Sequence, residues 1–470
     1  MAISDQRRAA EHRGVRRAST QRFRPRTHTL PKAAEQAIST SGERSLDAPR
    51  PGEPAVGESA RPLLEALVGS LPVRVTFWDG SAVGPADGPG ILHVRSPRAI
   101  NRILWAPGEL GVARAFVAGE LDVDGDLFEV ISALRPAGVS LRAGTRAVPA
   151  ALRAASRLHV LRRPLPPPEV EARTRGPLHS KRRDADAIHH HYDVGNDFYR
   201  IVLGPSMTYS CARFVGEHAM LEAAQSAKHE LICRKLGLHE RPGTRLLDVG
   251  CGWGSLAIHA ARHHGAEVVG VTISHEQADL ARRRVAEEGL AGVEIRLQDY
   301  RELGGERFDA ISSVGMFEHV GHRRTADYFS TLRSLLEPRG RLLNHAISSV
   351  GGSRFGRGSF THRYVFPDGE LIDVGEVALA MEDAGFEVRD VESLREHYAL
   401  TLRRWVANLQ AGWADAVELV GEQRARVWLL YMAASAIGFE DGGLGVHQVL
   451  GVVPDDEGCS GMPATRREWG

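Results

Sequence analysis

The run "LLDVGCGWG" sets one aspartate, Asp248, and three glycines, Gly250, Gly252 and Gly254, at the end of an apolar stretch. Glycine is needed where a backbone turns tightly and a ligand must lie against it. A G-x-G-x-x-G spacing would point to a pyrophosphate on a helix N-terminus. D-x-G-x-G-x-G instead offers a backbone floor with one carboxylate beside it. Upstream, "HHHYDVGNDFY" (His189–Tyr199) and "MTYSCARF" (Met207–Phe214) concentrate polar and aromatic groups. Three consecutive histidines point in different directions on a helix or strand and chelate poorly. No Cys or carboxylate cluster at zinc spacing accompanies them, so no metal site is expected. Downstream, "FEHVG", "NHAI" and "EHYALTLRRW" supply Glu318, His345 and Tyr398. Singly, each has an ordinary reading. Cys211 suits a small buried hydrophobe, Glu318 a helix N-terminal charge, His345 a satisfied core histidine and Tyr398 an aromatic helix.

A glycine loop of this kind needs a sheet beneath it. From residue 188, "TRLLDVGCGWGSLAIHAARHHGAEVVGVTISHEQADLARRRV", "VEIRLQDY" and "FDAISSVGMFEHV" alternate apolar strands with helical patterns. Strands spaced by helices imply an α/β fold with a parallel, doubly wound sheet. Ligands bind such sheets beyond the carboxyl ends of the strands. The stretch from Tyr398 to Leu450, studded with Trp405, Trp413, Trp428 and Tyr431, reads as helical. Ahead of it all, "LPVRVTFWDGSAV" and "GPGILHVRSPRAINRIL" read as strand, turn, strand and helix of a smaller α+β domain. In "GTRAVPAALRAASRLHVLRR", Val148, Leu152, Leu158 and Leu161 fall roughly on one side, which favours a packing helix over a membrane-surface one. "PLPPP" then makes a stiff linker. The expected organisation is a disordered basic tail over 1–60, the α+β domain over 61–160, a linker over 161–187, the α/β domain over 188–455 and a flexible tail over 456–470.

The chain has 470 residues, 43% hydrophobic and 25% charged, with Lys+Arg and Asp+Glu both at 59. Net charge alone therefore suggests no nucleic-acid partner. The basic stretches at 1–30 and 146–183 are candidates for contact with anionic headgroups. The four cysteines, Cys211, Cys233, Cys251 and Cys459, show no CxxC pairing, which fits a reducing cytosol. Neither a membrane-spanning run nor a secretory signal is legible.

D-x-G-x-G-x-G is similar to the cofactor loop of S-adenosylmethionine-dependent methyltransferases. The resemblance implies a Rossmann-like class I domain in which the loop and Asp248 receive the carboxypropyl chain and sulfonium. After the second strand, Thr272, Ser274 and Gln277 stand where such enzymes grip the ribose. Ser274 with Gln277 is also a helix capping box, and the two roles can coexist. After the third strand, Gln298, Asp299 and Tyr300 suit the adenine, with polar groups to read it and a ring to stack on.

The motifs "HHYDVGNDFY", "MTYSCARF", "LLDVGCGWGSLA", "VVGVTIS", "LQDYR", "SVGMFEHVG", "NHAI" and "YVFPDGEL", in that order over roughly 180–450, resemble the cyclopropane-fatty-acyl-phospholipid synthase family, mycolic-acid-modifying relatives included. Residues 61–160 look more loosely like the smaller N-terminal domain of its phospholipid-acting members. The resemblance implies methyl transfer to a cis double bond of a phospholipid acyl chain, then ring closure as a base removes a proton from the added methyl. That base would be a bicarbonate held by Cys211, Glu318, His345, Ile347 and Tyr398. Thr208, Tyr209 and Ser210 would contact the cofactor. His190, His191, Tyr192, Asp193, Gly195 and Asn196 would form a lid and entrance, with His189 incidental. The enzyme would be cytoplasmic, peripheral at the inner face of the membrane, and the family hints at a homodimer. Rival readings are a relative that ends in a methylene branch, a small-molecule methyltransferase, and a catalytically silent lipid-binding protein.

Overall fold

The computed structural model describes residues 54–137, 148–172, 194–216, 219–352, 358–367 and 369–469. The basic stretch 1–30, all of 173–183 and the residues His189, His190, His191, Tyr192 and Asp193 lie outside them.

Helix α1 (Val56–Val68) begins inside the stretch expected to be disordered up to residue 60. No neighbouring side chain caps it. Instead, the Val56 N–H donates to Asp79 Oδ2 and the Gly57 N–H to Ser81 Oγ, both at 2.8 Å. These partners answer donors that a helix cannot satisfy itself. They belong to the turn between β1 (Arg74–Phe77) and β2 (Ala82–Val83). With β3 (Gly90–Val94) and β4 (Leu121–Gly125) these strands form a sheet ordered β2-β1-β3-β4, in which β1 and β3 are parallel. Helices α2 (Pro97–Trp105), α3 (Glu109–Val117), α4 (Leu127–Ala137) and α5 (Val148–Arg157) accompany it. Ala154, Ala155 and Leu158 join the core around Leu63, Val75 and Phe77, so the basic helix packs inward. Leu161, expected on the same stripe, is 51% exposed.

The larger sheet follows. Helices α6 (Asn196–Leu203) and α7 (Leu221–Lys235) lead into β5 (Arg245–Val249), α8 (Ser255–His264), β6 (Glu267–Thr272), α9 (His275–Glu287) and β7 (Val293–Leu297). Then come β8 (Phe308–Val314), α10 (Thr325–Ser334), the long β9 (Leu336–Ser348), α11 (Phe360–Tyr364), α12 (Val374–Asp383) and β10 (Glu387–Ser393). Three helices, α13 (Arg395–Ala411), α14 (Trp413–Val420) and α15 (Glu422–Glu440), precede the last strand, β11 (Gly445–Val452). The order is β10-β11-β9-β8-β5-β6-β7, parallel from β9 to β7. The chain runs outward from β5 through β6 to β7, then returns to the other side of β5 at β8. That reversal opens a crevice beyond the carboxyl end of β5.

Two sequence expectations are corrected here. The segment up to Leu450 is not helical throughout, because "GVHQVLGV" pairs antiparallel with both β9 and β10. A short apolar run of this kind cannot be told from buried helix by periodicity. The tail over 456–470 is not free either. Trp469 is buried against the core that holds Ile232 and Leu236, and Arg466 reaches Asp390 at 2.7 Å.

The two sheets are tied through the segment expected to be a linker. Glu171 accepts from Arg114 Nε at 2.8 Å and Nη2 at 2.7 Å, and from the Tyr364 hydroxyl at 3.0 Å. The Phe360 N–H donates to Glu109 Oε1 at 2.9 Å, and the Arg403 guanidinium lies 4.1 Å from the Phe128 ring centre.

Candidate active site

The glycine loop turns directly out of β5. The N–H groups of Gly250 and Cys251 both donate to the Val271 carbonyl, at 2.9 and 3.0 Å, anchoring the loop to the neighbouring strand. Gly252 has φ +54°, and a Cβ there would meet open space. A cavity lies over this loop. It is lined by Tyr209, Ser210, Asp248, Gly250, Gly252, Thr272, Gln277, Asp299 and Tyr300, nine of the sequence-predicted cofactor residues, and by Thr208 and Gln298. Gly254 and Ser274 do not line it. Gly254 sits at the start of α8 with φ +77°, where a Cβ would come within 3.3 Å of Ala281 Cβ. Ser274 caps α9 by accepting from the Gln277 N–H at 3.4 Å. The reciprocal arm of the expected capping box is missing, because the Gln277 side chain accepts from Thr272 Oγ1 at 2.9 Å.

Asp248 accepts a hydrogen bond from Ser312 Oγ at 2.8 Å. Burial raises its carboxyl to about 6, against the opposing pull of Ser312 and of Lys228. Asp299 is gripped by Arg301, whose Nε donates to Oδ1 at 2.8 Å and Nη2 to Oδ2 at 2.5 Å.

The "MTYS" segment is pinned to the glycine loop by Arg284 of α9. Its Nη1 donates to the Trp253 carbonyl at 2.6 Å and its Nη2 to the Ser206 carbonyl at 3.1 Å. Ser255 Oγ donates to the same Ser206 carbonyl at 2.6 Å. Next in the chain, Met207 adopts φ +51°, uncommon for a residue with a side chain. Of the expected lid, Gly195 and Asn196 are described; Gly195 precedes α6 with φ +86°, and Asn196 Oδ1 accepts from Trp253 Nε1 at 2.7 Å. That bond joins the start of α6 to the glycine loop.

A second cavity adjoins the first, sharing Tyr209, Ser210, Gly315 and His319 as walls. Cys211, Glu318, His345, Ile347 and Tyr398, which come from four separate segments with His345 and Ile347 both on β9, all line it. Its remaining walls include Phe366, Leu402, Tyr431 and Phe439. Glu318 follows β8 in a short 3₁₀ turn, and its Oε1 accepts from the Ile347 N–H of β9 at 2.8 Å. Its Oε2 is buried and has no hydrogen-bond partner among the described residues. Burial raises this carboxyl to about 7. His345 is likewise buried, and burial together with the charges of Lys228 and Lys235 keeps its ring neutral. Gln448 Nε2 lies 3.3 Å from Nδ1, a contact that a ring proton on Nε2 would suit, and Nε2 has no partner among the described residues. The Cys211 thiol, held protonated by burial, lies 3.2 Å from the Ala212 carbonyl and 3.6 Å from that of Leu394. Tyr398 packs on Phe439, ring centres 4.7 Å apart.

Sequence reasoning missed Lys228. It lines the first cavity, is 1% exposed, and its Nζ donates to Ser210 Oγ at 2.9 Å. Burial lowers it to about 8, opposed by Cys211 and Asp248. In "EAAQSAKHELICRK" a lysine reads as one more solvated helix charge, and only the packing of α7 turns it inward. Trp253, Met316 and Arg324 also line this cavity without having been expected there.

A family model for mycolic acid cyclopropane synthetase matches residues 179–449. The chain is 45% identical over 413 residues to the probable fatty acid methyltransferase Rv3720 of Mycobacterium tuberculosis, covering 85% of this chain and 95% of that one. It is 40% identical to the cyclopropane-fatty-acyl-phospholipid synthase of Escherichia coli, over 58% of this chain and 69% of that one. Among solved structures, the cyclopropane synthase MmaA2 of Mycobacterium tuberculosis superposes with a TM-score of 0.55 at 33% identity, over 58% of this chain and 98% of that one. Mycolic acid cyclopropane synthase CmaA1, complexed with SAH and CTAB, gives 0.54 at 34% identity, over 57% and 98%. The chain belongs to the mycolic acid cyclopropane synthetase family of S-adenosylmethionine-dependent methyltransferases.

Proposed function

We propose that this enzyme transfers the methyl group of S-adenosylmethionine to the cis double bond of an unsaturated acyl chain in a membrane phospholipid and closes a cyclopropane ring. The observation that carries this reading is the second cavity. Cys211, Glu318, His345, Ile347 and Tyr398 meet in an otherwise largely apolar, aromatic chamber that shares walls with the cavity over the glycine loop. An O- or N-methyl transfer to a small molecule does not call for that set.

The sulfonium supplies an electrophilic methyl group. The alkene π electrons form the new bond to the methyl carbon as the carbon–sulfur bond breaks, leaving a carbocation beside it. Water would quench that cation, and the side chains of Tyr398, Leu402, Tyr431 and Phe439 give the chamber apolar walls that disfavour it. Loss of a proton from the added methyl then lets the ring close. A bicarbonate would supply the base for that proton. The residues fit such a group: Glu318 Oε2 can accept its hydroxyl, and His345 Nε2–H can donate to one of its oxygens. Ile347 acts through Glu318, because its N–H already holds Oε1.

A second reading, a methylene- or methyl-branched product, draws on two relatives that are named as methyltransferases and not as cyclopropane synthases. One is Rv3720; the other is the tuberculostearic acid methyltransferase UfaA1 of Mycobacterium tuberculosis, 35% identical over 83% of this chain. One experiment separates the two. Purified protein is incubated with methyl-deuterated S-adenosylmethionine and liposomes of cis-monounsaturated phospholipid, and the fatty esters are read by mass spectrometry and proton NMR. A ring methylene retaining two deuteriums supports cyclopropanation. An exocyclic alkene selects branching, and unlabelled lipid from a folded, cofactor-binding protein rules out the phospholipid substrate.

An acyl chain anchored in a bilayer must reach this chamber, so we place the enzyme at the inner membrane surface. No helix among the described residues is long and apolar enough to cross a membrane. Liposome sedimentation should depend on anionic lipid and weaken with salt; binding indifferent to both would remove the peripheral-membrane reading.

A further inference from the structure

Helices α7 and α8 lie side by side and bring together four donor side chains that line neither cavity. Cys233, His259 and His264 each present one ligand atom, and these three atoms lie within 4.8 Å of one another. Glu230 joins them, with Oε2 2.9 Å from His264 Nε2 and 3.4 Å from His259 Nε2. Glu230 and Cys233 are one turn apart on α7, so both face α8. We propose that Cys233, His259 and His264 form a zinc(II) site that braces α7 against α8, with Glu230, in contact with both imidazoles, drawn in as the fourth ligand.

The donor set of one thiolate, two imidazoles and one carboxylate suits a borderline-soft, four-coordinate ion. Zinc–sulfur and zinc–nitrogen bonds of about 2.3 and 2.1 Å require the donors to draw in by about 1 Å, within the reach of side-chain torsions. Cys233 is fully buried, and the two imidazoles are 10% and 7% exposed, so the ligands are held by packing. Glu230 is 42% exposed and leaves a route for the ion from solvent. Binding releases the thiol proton to water, shifts the proton on each coordinating imidazole nitrogen to the other ring nitrogen by exchange with solvent, and replaces the Glu230–imidazole hydrogen bonds with coordinate bonds. Sequence spacing hides the set, because His259 and His264 are five apart and their partners lie on the preceding helix. The same α7 carries Lys228 and His229 into the wall of the first cavity, so the ion would stiffen that wall from behind.

The competing explanation is a plain hydrogen-bonded cluster in which Glu230 bridges two histidines. The test uses the full chain, stripped with a chelator and reloaded with zinc or cobalt(II). About one zinc per chain should survive gel filtration and raise the melting temperature by several degrees. Cobalt should give a thiolate-to-metal charge-transfer band. Cys233→Ser should abolish that band, and both Cys233→Ser and His264→Asn should weaken zinc binding at least tenfold. Absence of retained zinc, or a cobalt spectrum without the thiolate band, overturns the site. So does zinc affinity unchanged in both variants. The wild-type cobalt spectrum decides the matter even if a variant folds poorly.

Discussion

Glu318 concentrates the chemistry at the level of single residues. One of its oxygens is fixed by a backbone N–H and the other has no partner among the described residues, so it is positioned and available at once. Under the proposed reaction, Glu318→Gln should lower turnover by about 10²- to 10⁴-fold, the usual weight of a proton-transfer group, with SAH affinity by calorimetry unchanged. A variant that loses SAH binding in step with activity would instead make Glu318 part of the cofactor wall. The same carboxyl sets a pH dependence of stability. Burial moves it from 4.5 to about 7, so between those values the folded chain holds a proton that the unfolded chain has released. Its contribution to stability therefore falls as pH rises through that window. Asp248, raised from 3.8 to about 6, acts the same way lower down. The melting temperature of Glu318→Gln should climb relative to wild type between pH 5 and pH 8. Parallel curves would mean that Glu318 is more hydrated than its surroundings indicate.

At the scale of elements, the strand-to-helix turn after β5 and the segment that precedes α7 are held as one unit. Two glycines of the turn are needed for different reasons. Gly252→Ala strains only the left-handed backbone and should cost about 1–2 kcal/mol. Gly254→Val adds bulk against Ala281 and should cost about 1–3 kcal/mol for overpacking besides that strain. Urea denaturation should rank Gly254→Val below Gly252→Ala, and the reverse order would show that α8 and α9 can part without penalty. Arg284 is the clamp across the two segments. Arg284→Met frees the carbonyls of Ser206 and Trp253 and should weaken SAH binding about tenfold, or about 1.4 kcal/mol. Unchanged affinity by calorimetry would mean that Ser255 alone holds the segment.

For the whole molecule, the small sheet and its helices are fastened to the larger fold beside the second cavity. Glu171 is the fastening point, buried between Arg114 of α3 and Tyr364 of α11. Glu171→Gln leaves Arg114 without its carboxylate and should destabilise the chain by about 3 kcal/mol, the lower end for a broken buried pair, because Arg114 is 20% exposed. Denaturant unfolding measures this directly. A loss below about 1 kcal/mol would class the contact with surface ion pairs.

The alternation of strands and helices, the glycine loop and the order of the motifs were legible in the sequence, because each is a local pattern of spacing and side-chain type. The convergence of Cys211, Glu318, His345, Ile347 and Tyr398 was reached only through family resemblance, since nothing in their spacing, the His345–Ile347 pair on β9 aside, brings four distant segments to one chamber. Local pattern misled where a short apolar run could serve either structure, as in β11, and where a helix borrows its cap from 23 residues away, as in α1. Lys228 and the pair Cys233 and Glu230 look alike in sequence, polar or small groups on a helix whose apolar residues mark out no single face. Which face of α7 is buried, and against what, depends on how α8 and β5 pack beside it. Side-chain type travels with the chain, but burial, protonation and the meeting of distant groups belong to the tertiary structure.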